Sequence, residues 1–291
     1  MNQKRRNPFW YVAGPIIIDF LISLAVQVAA QFIYVFLNIY RSGGIMENSE
    51  ALLEWAYMMT AEIMQYSTEI TAAASLVMMP VALWMFNKDR KQEQMIGAKP
   101  VEQVPLFKYA IIAVMGIVVC IGANNLITLS NVSSLSTTYE SVAEKLYSSG
   151  FTMQIICLGI IVPIAEELIF RGLVFKRLRM MMDVKRAIIV SAVIFGAMHG
   201  NLVQFIYGLF IGLLLAYMYE CFGSVKAPIF AHMVMNLTSV IATKADTFTW
   251  IFYSPLRMGI VTVICAAVGA AMFVFMQRMR INDEIETGGT N

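Results

Sequence analysis

A chain of 291 residues that is 59% hydrophobic and only 14% charged, with a mean hydropathy of +0.68, reads as an all-α polytopic membrane protein rather than a water-soluble domain. A formal net charge of +2 offers no basic surface for nucleic acid. The four cysteines, Cys120, Cys157, Cys221 and Cys265, lack CxxC spacing, which argues against a disulfide framework and against a thiolate zinc site.

Crossing a bilayer takes ~20 apolar residues in a helix. In chain order, about eight candidates are 9–40, 72–86, 109–129, 151–175, 187–200, 202–219, 227–243 and 258–276. The first is longer than the apolar core of a signal peptide and has no small-residue cleavage pattern, so it is expected to be retained. Between the first two, Glu47, Glu50, Glu54, Glu62 and Glu69 interleave with Leu52, Leu53, Trp55, Tyr57, Met58, Met59 and Met64, the pattern of an amphipathic connector lying at the outer interface. The polar stretch 87–105 is expected as a cytoplasmic loop and 130–150 as an outer loop with a short helix through 139–147. A polar tail, 282–291, is expected to be disordered. The abundant methionines are read as gap-fillers in a helix bundle.

Basic residues in short loops stay on the cytoplasmic side. An inside N-terminus leaves only Arg41, Lys145, Lys244 and Arg257 of the 21 Lys and Arg outside, which predicts a multi-pass protein of the cell membrane with both termini cytoplasmic. Its organisation is expected to be N-terminal helices and connector (1–150), a chemistry-bearing set of helices (151–245), and a last helix with a polar tail (246–291).

Ionisable side chains are costly at membrane depth and are usually kept there for a purpose. The only two histidines, His199 and His232, and the pair Glu166-Glu167 all lie in apolar stretches. Glu167 and Arg171, four apart, share a helical face and are expected to form an ion pair, while Glu166 is turned ~100° away. His232 and Asn236 also share a face. At ~1.5 Å per residue from the inner ends of their helices, Glu166 lies roughly 14 Å deep, His199 roughly 18 Å, and His232 and Asn236 roughly 8 and 14 Å. One cavity can therefore hold all four. Asp19, Gln27, Gln31, Asn124 and Asn125 are read as helix-to-helix hydrogen-bonding groups.

Several chemistries lack their parts: the sequence has no HExxH, no GxSxG elbow and no paired GxGD-type aspartates. What remains is Glu, His, His and Asn, a set able to hydrolyse a peptide bond. A carboxylate in a low-dielectric cavity is a stronger proton acceptor than in water. Glu166 with His199 would hold and deprotonate a water, and His232 with Asn236 would donate to the oxyanion on the scissile carbonyl. Alternatively, His199, His232 and Glu166 would hold Zn with an open position for water. Both arrangements remain open at this stage.

Three motifs, EExxxR at 166–171, FxxxH at 195–199 and HxxxN at 232–236, resemble those of the type II CAAX prenyl endopeptidases, also called the CPBP or Abi family, which includes the lysostaphin resistance protein A group. The resemblance covers about 159–243. It implies an eight-helix intramembrane endopeptidase, in a family often labelled metalloprotease, whose site opens towards the cytoplasm. By that resemblance Glu166 and His199 activate water and His232 and Asn236 stabilise the oxyanion, with Glu167 and Arg171 in support. The expected partners are a membrane-associated polypeptide, with or without a lipid, and the lipid bilayer. Two rival readings are a transporter with a buried Glu and His path and a non-catalytic bacteriocin-immunity protein.

Overall fold

The computed structural model describes residues 7–41, 49–95, 105–130 and 147–286, and every regular element among them is a helix. In order these are α1 (Pro8–Arg41), α2 (Ser49–Met64), α3 (Ser67–Met95), α4 (Leu106–Ser130), α5 (Phe151–Arg179), α6 (Val184–Ala197), α7 (Leu202–Phe222), α8 (Lys226–Lys244), α9 (Thr247–Phe252) and α10 (Pro255–Glu286). Six of them, α1, α3, α4, α5, α7 and α10, are long and apolar enough to cross a membrane. The other two expected spans exist as helices but fall short of that description. α6 has only 14 residues, a rise of about 21 Å, and α8 dilutes its apolar run with His232, Asn236, Thr238 and Ser239.

Several boundaries differ from the sequence expectation. The stretch expected as a loop from residue 87 continues α3 to Met95, because its charges have partners there. Asp89 pairs with Arg177 at 2.7 Å and Glu93 with Lys176 at 2.7 Å. The C-terminal tail likewise extends α10 through Glu286. The short helix expected at 139–147 falls on residues outside those described, Tyr147 excepted. The connector is helical as α2, with Glu62 accepting from the Tyr34 hydroxyl at 2.7 Å.

α5 is the central helix: 61% of its apolar window is buried, against 0% for α1 and 11% for α10. Exposed Phe20, Leu21, Phe32, Ile33 and Phe36 of α1 and Val263 and Ile264 of α10 fit lipid contact. α5 is not a regular α-helix. Two widened π turns, Cys157–Ile161 and Phe170–Phe175, flank an α-helical segment, Val162–Ile169, which carries both glutamates. Pro163 has no N–H to offer the Gly159 carbonyl four residues back, and the first widened turn falls there. At its basic end α5 is clamped to its neighbours. Arg177 also donates to the Tyr11 carbonyl at 2.6 Å, and Arg179 pairs with Glu220 of α7 at 3.0 Å.

α6 and α7 form a hairpin seamed by small residues. A Cβ on Gly196 would lie 2.7 Å from the Phe205 carbonyl oxygen, one on Gly208 3.1 Å from the Gly196 Cα, and one on Gly212 3.0 Å from the Ala192 Cα. These close approaches hold the two backbones together without any polar glue. Gly196→Ala is therefore expected to cost about 1–3 kcal/mol by overpacking, seen as a lowered melting temperature of the detergent-solubilised protein. Gly14→Ala, with nothing within 4 Å of the added methyl, serves as the matched control and is expected to leave stability unchanged or slightly raised.

Candidate active site

The site is assembled from α5, the end of α6 and α8. Glu167 and Arg171 form the expected i, i+4 pair at 2.8 Å, and both side chains are fully buried. Arg171 is held on three sides. Nη1 donates to Glu167 Oε1, Nη2 donates to the Gly212 carbonyl at 3.4 Å, and the guanidinium lies 4.2 Å above the Phe195 ring. A guanidinium over an aromatic face is attracted by the ring quadrupole, more strongly when water is excluded.

Glu167 does more than balance Arg171. The same Oε1 accepts from His232 Nδ1 at 2.8 Å, a bond between residues 65 apart in sequence. With its Nδ1 proton committed there, His232 turns Nε2 towards Glu166, whose Oε2 lies 3.8 Å away. That separation is an ion-pair distance rather than a hydrogen bond. Glu166 keeps part of its side chain accessible, 29%, whereas Glu167 has none. The ~100° rotation between adjacent helical positions thus separates a sealed carboxylate from an open one.

His199 lies beyond the end of its helix rather than within it. α6 stops at Ala197, and His199 occupies the turn 198–201, where Gly200 takes φ +77° and Asn201 caps α7 by accepting from the Gln204 amide at 2.9 Å. A left-handed glycine followed by an N-cap residue ends one helix and starts the next. His199 Nδ1 bonds the Phe195 carbonyl at 2.8 Å. A carbonyl can only accept, so Nδ1 carries the hydrogen and Nε2 of the neutral ring keeps its lone pair.

Asn236 donates through Nδ2 to the Leu158 carbonyl at 2.9 Å, inside the first π turn. A π turn leaves carbonyls without their regular i+4 partner, and Asn236 supplies one donor while retaining a second N–H. The structure therefore joins Glu166, Glu167, Arg171 and His232 directly. It connects His199 to them through Phe195, and ties Asn236 to the helix that bears the glutamates.

Phe195 is the residue that sequence reasoning underweighted. Its ring touches Arg171, stands edge-on to Phe170 at 5.1 Å, and has His199 at 4.8 Å and His232 at 6.0 Å between centroids. The available signal was its place four residues before His199. The Gly208 to Gly212 pair, a GxxxG spacing, was equally readable and sets where the His199 ring sits, since a Cβ on Gly208 would approach His199 Nδ1 to 3.4 Å. Of the reserve polar residues, Asn125 does bridge helices, donating to Thr262 at 3.2 Å. Asn124 bonds within its own helix.

The zinc arrangement requires His199, His232 and Glu166 to meet at one point. Among the described residues, no three His, Cys, Asp or Glu side chains are grouped closely enough to hold a metal ion. The donor set does not fit a metal, and the metalloprotease label that came with the family resemblance is not supported.

Comparison with known proteins gives the same reading of these helices. No solved structure matches the chain. A relative from Bacillus subtilis (strain 168), named "Putative membrane peptidase YdiL", is 36% identical over 89 residues, which is 31% of this chain and 36% of that protein. The matched part thus spans about a third of the relative's length. The model of the Rce1-like type II CAAX prenyl endopeptidases matches residues 148–238, from just before α5 to the last third of α8. Residues 148–238, the helices on which the three motifs are drawn into one site, are thus similar to the Rce1-like type II CAAX prenyl endopeptidases.

Proposed function

We propose that the protein is an intramembrane endopeptidase that hydrolyses a peptide bond of a membrane-associated polypeptide, using water activated at Glu166. The observation that carries this reading is His232 held between two carboxylates, Glu167 on Nδ1 at 2.8 Å and Glu166 facing Nε2 at 3.8 Å. A buried carboxylate that orients an imidazole, with a second and more accessible carboxylate on the far side, is the layout of an acid-base site rather than of a structural ion pair alone.

In this mechanism the accessible Glu166 takes a proton from water, and His199 helps hold that water through the lone pair on Nε2. The resulting hydroxide adds to the scissile carbonyl, and the tetrahedral intermediate collapses with cleavage of the C–N bond as Glu166 passes its proton to the departing amine. His232 donates to the oxyanion from Nε2, which carries a proton only when the ring is charged because Nδ1 already serves Glu167. Asn236 adds the N–H not used by Leu158. The site is proposed to open towards the cytoplasmic side, with both chain termini on that side.

The test is the purified protein in liposomes, incubated with a library of membrane-tethered peptides with and without a lipid on the anchor, with products identified by mass spectrometry. Cleavage at a defined bond is expected. Proton or ion flux through the same liposomes with every peptide left intact would overturn the reading in favour of a transporter.

A further inference from the structure

The exposed side of α3 changes character towards its basic end. At about 100° per residue, Leu76, Val77, Leu83, Trp84, Lys88 and Lys91 fall on one side of the helix, and all six are exposed. Met78, Ala82 and Asp89 fall on the other side and are buried. From Leu76 to Lys88 the rise is about 18 Å, slightly more than one leaflet's share of a hydrocarbon core ~30 Å thick. An apolar stripe the length of one leaflet thus ends in two cations.

Arg177 fixes the level of that end independently. It holds Asp89 of α3 at 2.7 Å and the Tyr11 carbonyl of α1 at 2.6 Å, so Trp10 and Lys88 stand at one height. Trp10 is 61% exposed, and Trp84, one turn before Lys88, is 63% exposed. Exposed tryptophans beside cations mark the level of lipid headgroups. Lys88 Nζ lies 5.0 Å from the Trp84 ring centroid, a contact that holds the ammonium on this face without neutralising it.

The charge balance here is one-sided. The acids around this end are already engaged: Asp89 with Arg177, Glu93 with Lys176, Glu220 with Arg179 and Asp183 with Arg186. Among the described residues, Lys88 and Lys91 have no acid within ion-pair distance, and Arg90 between them leans over the Phe86 ring at 5.9 Å with none either. The chain presents cations here and keeps its own carboxylates for the helix clamp.

We propose that this end of α3 binds an anionic phospholipid, its phosphate held by Lys88 and Lys91 and an acyl chain lying along Trp84, Leu83, Val77 and Leu76. A zwitterionic lipid offers the same chain but brings its own cation to the phosphate, so the preference falls on a headgroup of net negative charge. The inference does not depend on the peptidase reading.

The test uses the full chain with Trp84 as its sole tryptophan, Trp10, Trp55 and Trp250 being replaced by phenylalanine. It is reconstituted in phosphatidylcholine vesicles that contain a minor share of lipid brominated on its acyl chains. Bromine quenches indole fluorescence on contact, so Trp84 reports which lipid lies beside it. At equal share, brominated phosphatidylglycerol is expected to occupy the site at least about fivefold more readily than brominated phosphatidylcholine, the effect of about one cation. That ratio is expected to fall to about one in Lys88→Gln with Lys91→Gln. Lys244→Gln, exposed at the far end of α8, is expected to leave it unchanged. A ratio near one in the parent chain, an unchanged ratio in the double variant, or an equal fall in Lys244→Gln overturns the proposal. Should the double variant fail to fold, the parent chain in about 1 M salt takes its place, since screening must lower the ratio; a ratio that holds there overturns the proposal as well.

Discussion

Replacing Glu166 by glutamine is expected to lower turnover of a membrane-tethered peptide by about 10²–10⁴-fold, the range a positioned general base supplies. The side chain keeps its size and can still hydrogen-bond, so the change removes basicity with little effect on packing. Glu166 is partly accessible and, among the described residues, makes no side-chain hydrogen bond; its ion-pair partner is His232 at 3.8 Å. Expression, detergent extraction and melting temperature should therefore match the wild type. Full turnover in this variant would remove Glu166 from the mechanism. The same substitution at Glu167 is a contrasting case, since that carboxylate serves Arg171 and His232 through one oxygen.

The second large effect is expected at Arg171. Its side chain is fully buried against Glu167, Gly212 and Phe195, and Arg171→Ala leaves the Glu167 charge uncompensated in the interior. Breaking a buried pair from one side costs about 3–5 kcal/mol, enough to deplete folded protein in a thermal or proteolytic assay. Removing both charges at once, as Glu167→Gln with Arg171→Met, should recover much of that stability, because neutral side chains of similar volume leave no unpaired charge in the interior. Activity should not return with it, since His232 would lose the carboxylate that orients it. A double variant as active as the wild type would show the pair to be structural only.

The apolar runs made the helices legible, and the four-residue spacing made the Glu167–Arg171 pair legible, because both depend on neighbours within two turns of one helix. The convergence of Glu166 and His232 followed from matched depth, although depth alone could not say which imidazole stands beside Glu166. What was hidden lies across helices or breaks the regular period. The bond from His232 to Glu167 joins residues 65 apart, and no local pattern encodes it. Helix α3 outran its apolar segment because Asp89 and Glu93 found Arg177 and Lys176 on α5, turning an apparently loop-like charge run into a docked helix end. Helix α6 stopped short of His199 because Gly200 and Asn201 set a turn within an otherwise apolar stretch.

The widened turns of α5 take up chain length locally. Each accommodates a residue more than a regular turn would, with a smaller rotation per residue, so the segments on either side keep their facing. Deleting a single position between Phe170 and Phe175 would let that stretch rewind to the ordinary period while the clamp of Arg177 and Arg179 and the glutamate segment keep nearly the same relative angle. The same deletion within the regular segment Val162–Ile169, after Glu166, would turn the open carboxylate by about 100° towards a different neighbour. Where a residue is lost along α5 thus matters more than how many.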